Sequence, residues 1–269
     1  GRSAGGGRVP PTAPSHPKFP HQHALDLTSA IFHPRRYWEG MSDVEEYVER
    51  IFCHYRAVGF PYYETDAEYR RGEFSRLMRY DIKGVLRDGV VGQTMHGLAL
   101  AWSYMPHSWS VRCNNKLTPM EVFTDDEKFR GVIRKRLKMG DNVSDSGIRK
   151  MLRMYSGCQS VSNFRPTAAA ALYRHFCPHG GRVLDMSMGY GGRLLGAIRA
   201  GVDYVGYDPC VPTFRGLAQI KKDFGQGIRA DLYEQGAEDM DIGESVDFAF
   251  TSPPYFDTEK YDTDQNQSW

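Results

Sequence analysis

The sequence predicts an α/β fold, with a sheet in the C-terminal part of the chain behind a mostly helical N-terminal region. Two short runs, residues 182–185 and 202–208, each end in an aspartate and have the composition of buried strands. The run that leads from the first towards the second, up to about Ala200, is typical of a helix. A strand, a helix and a second strand in this order favour an α/β fold.

Three glycines stand between the first predicted strand and its helix, at positions 189, 191 and 192. Glycine lets the backbone turn sharply and lets a ligand come close to it, and a helix start behind it favours a negative group. Nicotinamide, flavin and nucleotide sites all share this design. Here an acid, Asp185, precedes the glycines, where it would repel a pyrophosphate and would suit a positively charged amino group.

A further run, residues 246–250, has the alternating, aromatic-rich pattern of a buried strand and leads into Ser252, Pro253, Pro254 and Tyr255. Two prolines cannot extend a strand, because each lacks a backbone donor and has a fixed φ. We therefore expect the strand to stop at Ser252 and the loop to present a hydroxyl, free carbonyls and an aromatic ring. A flat ring that bears an amine could bind there. An ordinary turn after a core strand is the alternative.

Several other polar residues of this region each allow two interpretations. Asp208, at the end of the second predicted strand, is placed to accept ribose hydroxyls, but it could equally be a helix cap or a loop acid. Asn163 and Arg165, just ahead of an alanine-rich helix, could bind a carboxylate or belong to a capped surface helix. Glu238 and Asp239 form a short acidic loop, and such loops are most often solvated.

Taken in chain order, these segments resemble the motifs of the amino-directed DNA methyltransferases, which use S-adenosylmethionine (SAM) and act on adenine N6 or cytosine N4. The pattern Asp-x-x-x-Gly-x-Gly-Gly resembles motif I, Ser-Pro-Pro-Tyr resembles motif IV, and the segment around Arg165 resembles motif X. The resemblance implies a Rossmann-like SAM-dependent methyltransferase sheet with SAM as cofactor. It implies cofactor contacts from Asn163, Phe164, Arg165, Asp185, Met186, Gly189, Gly191, Asp208 and Glu238. It implies catalytic contacts from Ser252, Pro253, Pro254 and Tyr255.

The same resemblance implies methyl transfer to the exocyclic amine of a base that is flipped out of DNA. Serine in the first place of the tetrapeptide, Ser252, favours cytosine N4, and adenine N6 is possible. The implied partner is DNA and the implied location is a bacterial or phage-like cytoplasm. Two other classes stay open: a methyltransferase acting on RNA or another amine, and a non-catalytic DNA-binding module that retains the SAM fold.

Composition limits these possibilities only coarsely. The formal net charge of +1 excludes a bulk polycation, so any nucleic-acid surface must be local. The five cysteines include no C-x-x-C pair, which argues against a zinc site and fits a reducing compartment, and no apolar run is long enough to span a membrane. Residues 1–22, rich in glycine and proline, predict disorder. Residues 23–158 predict the helical domain, and residues 159–269 a methyltransferase domain whose sheet is incomplete at the C-terminus, with only its first half present.

One stretch of the helical region is strongly basic. Residues 128–153 hold nine lysines or arginines against two aspartates. Arg134, Lys135 and Arg136 crowd one predicted helix, and residues 149–153 add three more cations on the next. Two basic helices joined by a polar turn could lie along a phosphate backbone, so this stretch is the predicted DNA contact. A solvated charged face is the alternative.

Overall fold

The computed structural model describes residues 44–140 and 143–253, together with the backbone of residues 259–260. Within these ranges the protein is α/β, with nine α-helices and a four-stranded parallel sheet, which is consistent with a Rossmann-like core. The fold class expected from the sequence is confirmed at this level. The segment predicted to be disordered, residues 1–22, lies outside the described residues.

The N-terminal region is mostly helical, as the sequence predicts. Its helices are α1 (Val44–Val58), α2 (Ala67–Arg79), α3 (Leu98–Ser103), α4 (Pro119–Thr124), α5 (Asp126–Lys138) and α6 (Asp145–Arg153). A 3-10 helix, Pro106–Ser110, follows α3. Two antiparallel pairs of two-residue strands complete the region: β1 (Leu86–Arg87) with β2 (Val90–Val91), and β3 (Arg112–Cys113) with β8 (Glu259–Lys260).

Helices α1, α4, α5 and α6 enclose a core of their own. Its buried members include Val48, Phe52, Tyr55, Val122, Phe129, Ile133, Ile148 and Leu152. Helices α4, α5 and α6 start at side-chain caps, which satisfy backbone N–H groups that have no partner inside the helix. Thr118 and Glu121 form a capping box at α4, and Asp125 accepts the Lys128 N–H at α5.

Three arginines of the basic helix α5 are paired with acids or buried, while Lys135 and Lys138 are exposed, so the DNA contact there remains a prediction. Arg134 donates to both carboxylate oxygens of Glu45 at 2.7–3.0 Å, and Arg130 pairs with Glu49. Arg136 is buried, with 8% of its surface exposed. The carboxylates come from α1, far upstream in sequence, so the count of charges within the basic stretch misses them.

The C-terminal region alternates helices and strands. In order these are α7 (Pro166–Phe176), β4 (Arg182–Asp185), α8 (Gly192–Ala200), β5 (Asp203–Tyr207), α9 (Val211–Phe224), β6 (Ala230–Tyr233) and β7 (Phe248–Ala249). Two 3-10 helices, Gly225–Gly227 and Ala237–Asp239, flank β6. The predicted strand ends, and the helix predicted to end near Ala200, are confirmed within one or two residues. The last strand is shorter than its aromatic pattern predicts.

The four strands are parallel and lie in the order β6-β5-β4-β7. The chain therefore moves outward from β4 to β6 and then returns to pair β7 with the opposite edge of β4. The point between β4 and β7, where the direction of progress reverses, is the switch point at which open α/β sheets bind their ligands. The carboxyl ends of β4 and β7 both face this crevice.

The two faces of the sheet are covered differently. On one face Val183 and Tyr204 pack against helices α7, α8 and α9, through residues such as Leu194 and Leu217. On the other face Leu184, Val205 and Tyr207 pack against the loop side chains Met186, Met240, Ile242 and Val246. Helices α7 and α8 approach closely because both are built from small residues. A Cβ atom on Gly196 would lie 2.4 Å from the Cβ of Ala169.

The larger core crosses the predicted domain boundary at residue 158. Leu77, Leu100 and Met105 from the N-terminal region belong to the same cluster of buried side chains as Leu194 and Leu217. Helices α2 and α3 therefore pack with the sheet layer, while α1 and α4–α6 form the separate cluster described above. No helix in the described ranges combines the length and the apolar character that a membrane crossing requires.

Candidate functional site

Four chain segments meet at the carboxyl edge of the sheet. The glycine turn, residues 187–191, follows β4, and Asp208 follows β5. Residues 250–253 follow β7, and residues 162–165 lead into α7. These are the segments singled out in the sequence, and the parallel order of the strands explains why they converge.

A cavity of about 530 Å³ opens between these segments. Its size lies within the range of roughly 300–1,000 Å³ that is usual for small-molecule sites. Its lining comprises Val91, Gly92, Gln93, Ser162, Asn163, Phe164, Arg165, Ala168, Gly189, Tyr190, Arg193, Ser252 and Pro253. The structure thus brings the Ser-Pro end of the predicted base-binding loop into one cavity with the predicted cofactor segments.

Asp185 is not among the described residues that line this cavity, and its carboxylate is engaged within the chain, so its contact with a ligand's amino group remains a prediction. The residue is fully buried, and its Oδ2 accepts hydrogen bonds from Arg193 Nε at 2.7 Å and from the Tyr204 hydroxyl at 2.6 Å. Burial opposes the charge of Arg193, but the Asp185 carboxylate outweighs it and raises the pKa of the guanidinium. Asp185 therefore neutralises an arginine of the chain itself, and Arg193, which also donates to the Ser187 carbonyl, lines the cavity in its place.

Asp208 is also engaged within the chain. Its Oδ2 accepts the Gly189 N–H at 2.8 Å and its Oδ1 accepts the Cys210 N–H at 3.0 Å, and only 7% of the residue is exposed. Burial raises the pKa of this carboxyl to about 6, although the two backbone hydrogen bonds act in the opposite direction. Through these hydrogen bonds Asp208 joins the end of β5 to the glycine turn, at the position where the sequence predicts a ribose contact.

The three glycines of the turn are required for different reasons. Gly189 and Gly191 have φ values of +59° and +84°, which other residues adopt only with strain. Gly192 has an ordinary φ, but a Cβ atom there would lie 1.8 Å from the carbonyl oxygen of Phe164. The close approach expected at these glycines is therefore made, at Gly192, by the chain's own backbone. Gly191 is not among the residues that line the cavity.

The segment before α7 divides between support and exposure to the cavity. The Asn163 side chain donates to the Tyr190 carbonyl at 2.9 Å and accepts the Gly192 N–H at 3.3 Å, so it fastens the glycine turn. Because both ends of its amide are bonded to the turn, the geometry does not favour a hydrogen bond from Asn163 to a ligand's carboxylate. Phe164 packs edge-on against Phe250 with ring centroids 5.2 Å apart. Arg165 lines the cavity, and its Nε is buried without a hydrogen-bond partner among the described residues.

The predicted catalytic loop is described only in part. Ser252 and Pro253 are exposed and line the cavity. They come two residues after Phe250, whose backbone N–H donates to the Leu184 carbonyl and so ends the pairing with β4. Pro254 and Tyr255 lie outside the described residues. Two further predicted cofactor residues lie apart from this cavity: Met186 packs under the sheet, and Glu238 is exposed on the 3-10 helix that follows β6.

The sequence interpretation misses seven of the lining residues, and three of them carry polar groups that a ligand could meet: Arg193, Tyr190 and Gln93. Arg193 is one more arginine at the start of a helix, and nothing in its neighbourhood in sequence marks it as buried against Asp185. Tyr190 sits inside the glycine turn, where an aromatic residue gives no signal of its own. Gln93 follows the strand pair β1–β2, about 70 residues upstream. Only the tertiary packing of that pair against α7 reveals its place.

Arg165 and Arg193 line the cavity, and no described lining residue is acidic. Because Arg193 is paired with Asp185, the positive charge that a ligand would meet comes chiefly from Arg165. Guanidinium groups recognise carboxylates and phosphates through paired N–H donors. The site is therefore suited to a ligand with an anionic group, next to a hydroxyl and carbonyls from residues 252–253. Across the described ranges, no group of three histidine, cysteine or acidic side chains is arranged to hold a metal ion.

Fold and site together define an α/β protein with a positively charged cavity at the switch point of a parallel sheet. Comparison with known proteins adds no relative to this description. No family model, no curated protein and no solved structure matches the chain.

Proposed function

We propose that this chain is a SAM-dependent methyltransferase that acts on an exocyclic amine of a flipped-out DNA base, with cytosine N4 favoured over adenine N6. One observation carries the proposal. Ser252 and Pro253, which follow β7, line the same cavity as the glycine turn and Arg165. An amino-directed methyltransferase needs its amine acceptors and its cofactor contacts on opposite sides of one crevice.

The cavity residues fit part of the cofactor well. Arg165 has a buried Nε with no hydrogen-bond partner among the described residues, which suits the carboxylate of the methionine end, and the Arg193 guanidinium lies in the same lining. The absence of an acidic side chain from the lining means that the cofactor's amino group would bind to carbonyl or amide oxygens, such as that of Gln93. Asp208 and Asn163 would act indirectly, because they hold the glycine turn in shape.

The target amine would be oriented by residues 252–253. The Ser252 hydroxyl and the Pro253 carbonyl accept hydrogen bonds from the two amino hydrogens, which favours a more tetrahedral nitrogen whose lone pair is less delocalised into the ring. When bound, SAM supplies an electrophilic methyl group. The remaining contribution of the chain is position, since holding two reactants in line removes much of the entropic barrier. A base within a duplex hides its amine, so the target must be flipped out.

A crossed pair of variants tests the two halves of the site in the full chain. Ser252→Ala should greatly reduce methyl transfer while leaving SAM affinity nearly unchanged, because its hydroxyl is assigned to the base. Arg165→Ala should weaken SAM binding by about tenfold or more, the usual cost of losing a hydrogen bond to a charged group. Calorimetry measures the SAM affinity, and labelled SAM with mixed-sequence DNA measures the transfer. Ser110→Ala, at an exposed position at the end of a 3-10 helix, is the matched control.

The outcomes separate the proposed function from its alternatives. N4-methylcytosine or N6-methyladenine in the digested product identifies the target amine within the proposed class. Methylation of RNA but not of DNA would move the protein to the RNA class. SAM binding with no transfer to either polymer would indicate a non-catalytic module, and transfer at the wild-type rate by Ser252→Ala would show that this loop is only a turn.

A further inference from the structure

A cluster of arginine and aromatic side chains lies next to the cavity, outside the site described above. Arg149 and Arg153 stand one turn apart on α6, and both contact aromatic rings. The Cζ of Arg149 lies 4.1 Å from the centre of the Tyr63 ring, and that of Arg153 lies 4.3 Å from the Trp109 ring. Tyr63 and Trp109 are themselves stacked, with centroids 6.3 Å apart. The two guanidinium groups therefore share one aromatic platform.

Neither guanidinium has a carboxylate partner among the described residues. Arg149 donates only to the carbonyls of Pro61 and Tyr62, at 2.9 and 3.2 Å. The Nε atoms of Arg149 and Arg153 are both buried and without a hydrogen-bond partner. Burial lowers the pKa of Arg153, and the nearby charge of Arg149 lowers it further, while Tyr63 acts against both. Two partly desolvated cations side by side, with open donors, are costly unless an anion joins them.

Two acids in the neighbourhood of the cluster are already used elsewhere. Asp145, one turn before Arg149 on α6, accepts the Tyr55 hydroxyl at 2.9 Å. Glu121, whose charge helps to raise the pKa of the neighbouring Cys158 thiol, accepts the Thr118 backbone N–H and pairs with Arg112. Among the described residues no carboxylate is thus bonded to the open donors of the cluster, which contrasts with the paired arginines of α5.

The cluster reaches the cavity through two ring contacts. Arg153 also lies over Trp102, with its Cζ 5.2 Å from the ring centre. The Trp102 ring in turn packs against Tyr190 at 5.3 Å, and Tyr190 lines the cavity. A group bound at Arg149 and Arg153 would therefore be linked to the cavity through the rings of Trp102 and Tyr190.

We propose that Arg149 and Arg153 form a site for a backbone phosphate of the DNA strand that carries the target base. This inference rests on the proposed function and adds to it a specific point of contact with the substrate. The planar donors of a guanidinium group match phosphate oxygens better than the donors of any other side chain do. Stacking on Tyr63 and Trp109 holds both guanidinium groups in place. The contact would position the strand without reading its sequence.

The test measures the affinity of a fluorescein-labelled mixed-sequence duplex for the full chain across a series of salt concentrations. Arg149→Met and Arg153→Met should each lower the slope of log affinity against log salt by about one, because one phosphate contact is lost. At 0.1 M salt this corresponds to a loss of about eightfold in affinity. Arg153→Lys keeps the charge and should retain most of the slope. Lys150→Met removes an exposed charge from the same helix and should change neither quantity.

Thermal unfolding and SAM calorimetry on each variant check that the protein is folded and that its SAM affinity is unchanged. Unchanged slopes in folded Arg149→Met and Arg153→Met would overturn the inference and leave cation–π packing as their role. Equal effects from Lys150→Met would also overturn it, because a diffuse charge effect would suffice. If the variants weaken DNA binding but wild type transfers no methyl group to DNA, the proposed function fails and the phosphate site stands. If wild type methylates DNA and the variants bind as well as wild type, only the phosphate site fails.

Discussion

Helices α5 and α6 are both rich in arginine, yet their charges face different surroundings. On α5, Arg130 and Arg134 pair with Glu49 and Glu45 of helix α1. On α6, the arginines of the aromatic cluster have no carboxylate within the described part of the chain. The difference shows that positive charge available to a ligand depends on what packs against a helix. Counting lysines and arginines along the sequence does not reveal it.

The pairing on α5 follows from simple helical geometry. Glu45 and Glu49 are four residues apart on α1, and Arg130 and Arg134 are four apart on α5, so each pair occupies one side of its helix. Glu45 meets the later arginine and Glu49 the earlier one, as expected for antiparallel helices. An acid and an arginine also pair at the glycine turn, where Asp185 and Arg193 are both buried. The deeper the pair, the more its disruption should cost.

The buried pair should therefore show the largest effect. Asp185→Ala leaves Arg193, which is 4% exposed, without its anion, and breaking a buried pair on one side typically costs about 3–5 kcal/mol. We expect a loss of this order in the free energy of unfolding, measured by denaturant titration. Asp239→Ala, an exposed acid on a 3-10 helix near the same edge, should be nearly neutral.

A direct role for Asp185 in ligand binding predicts the opposite pattern. In that case Asp185→Ala would weaken SAM binding while the free energy of unfolding stays at its wild-type value. The two readouts, stability and calorimetric affinity, therefore decide whether the acid before the glycines serves the fold or the cofactor.

The sequence predicts the local features of this site well. The strand before the turn, the glycines with positive φ and the helix up to Ala200 all follow from patterns within a few residues of one another. The convergence of the segments at one edge also follows, because successive strands of a Rossmann-like sheet end on the same side. Residues 228–233 give no clear pattern in the sequence, since Ala230–Tyr233 has a mixed composition and becomes a strand by pairing with β5.

What the sequence does not reveal is which side chains satisfy one another. An acid at the end of β4 binds a ligand or an arginine of the chain according to burial and rotamer, and Arg193 lies eight residues further on. The wall of the cavity at Gln93 and the pairing of α1 with α5 depend on contacts across about 70 to 90 residues. These are tertiary facts, and local periodicity carries no information about them.

An intermediate effect is expected at Asp208, where a carboxylate is buried against backbone N–H groups rather than against a cation. Its pKa is raised from an ordinary value near 4 to about 6, so the folded state binds more protons than the unfolded state between these values. The free energy of unfolding of wild type should therefore fall as pH rises from about 4 to 6 and level off above that, with a total change of roughly 2–3 kcal/mol from this group.

Asp208→Asn removes this titration and so isolates it. Denaturant titrations at pH 4, 5, 6 and 7 should show the difference between wild type and variant shifting in the variant's favour as pH rises. A constant difference across that range would mean that Asp208 ionises at its ordinary pKa and is more open to solvent than its contacts with Gly189 and Cys210 indicate.

The smallest effect should come from the paired face of α5, and it sharpens the comparison with α6 most directly. Arg134→Gln removes a cation whose N–H groups already bind Glu45, so one positive charge is lost and the Glu45 carboxylate loses that partner. Both groups are largely solvated, and exposed pairs of this kind contribute little to stability. We expect an almost unchanged melting temperature and a change in DNA affinity no greater than about twofold, against about eightfold for Arg149→Met under the same salt conditions. Glu45→Gln serves as the reciprocal control, since it should raise DNA affinity slightly if the exposed arginine then becomes available. A loss of DNA affinity and salt slope in Arg134→Gln as large as in Arg149→Met would show that pairing with α1 does not withhold these charges from DNA, and that both helices contact it.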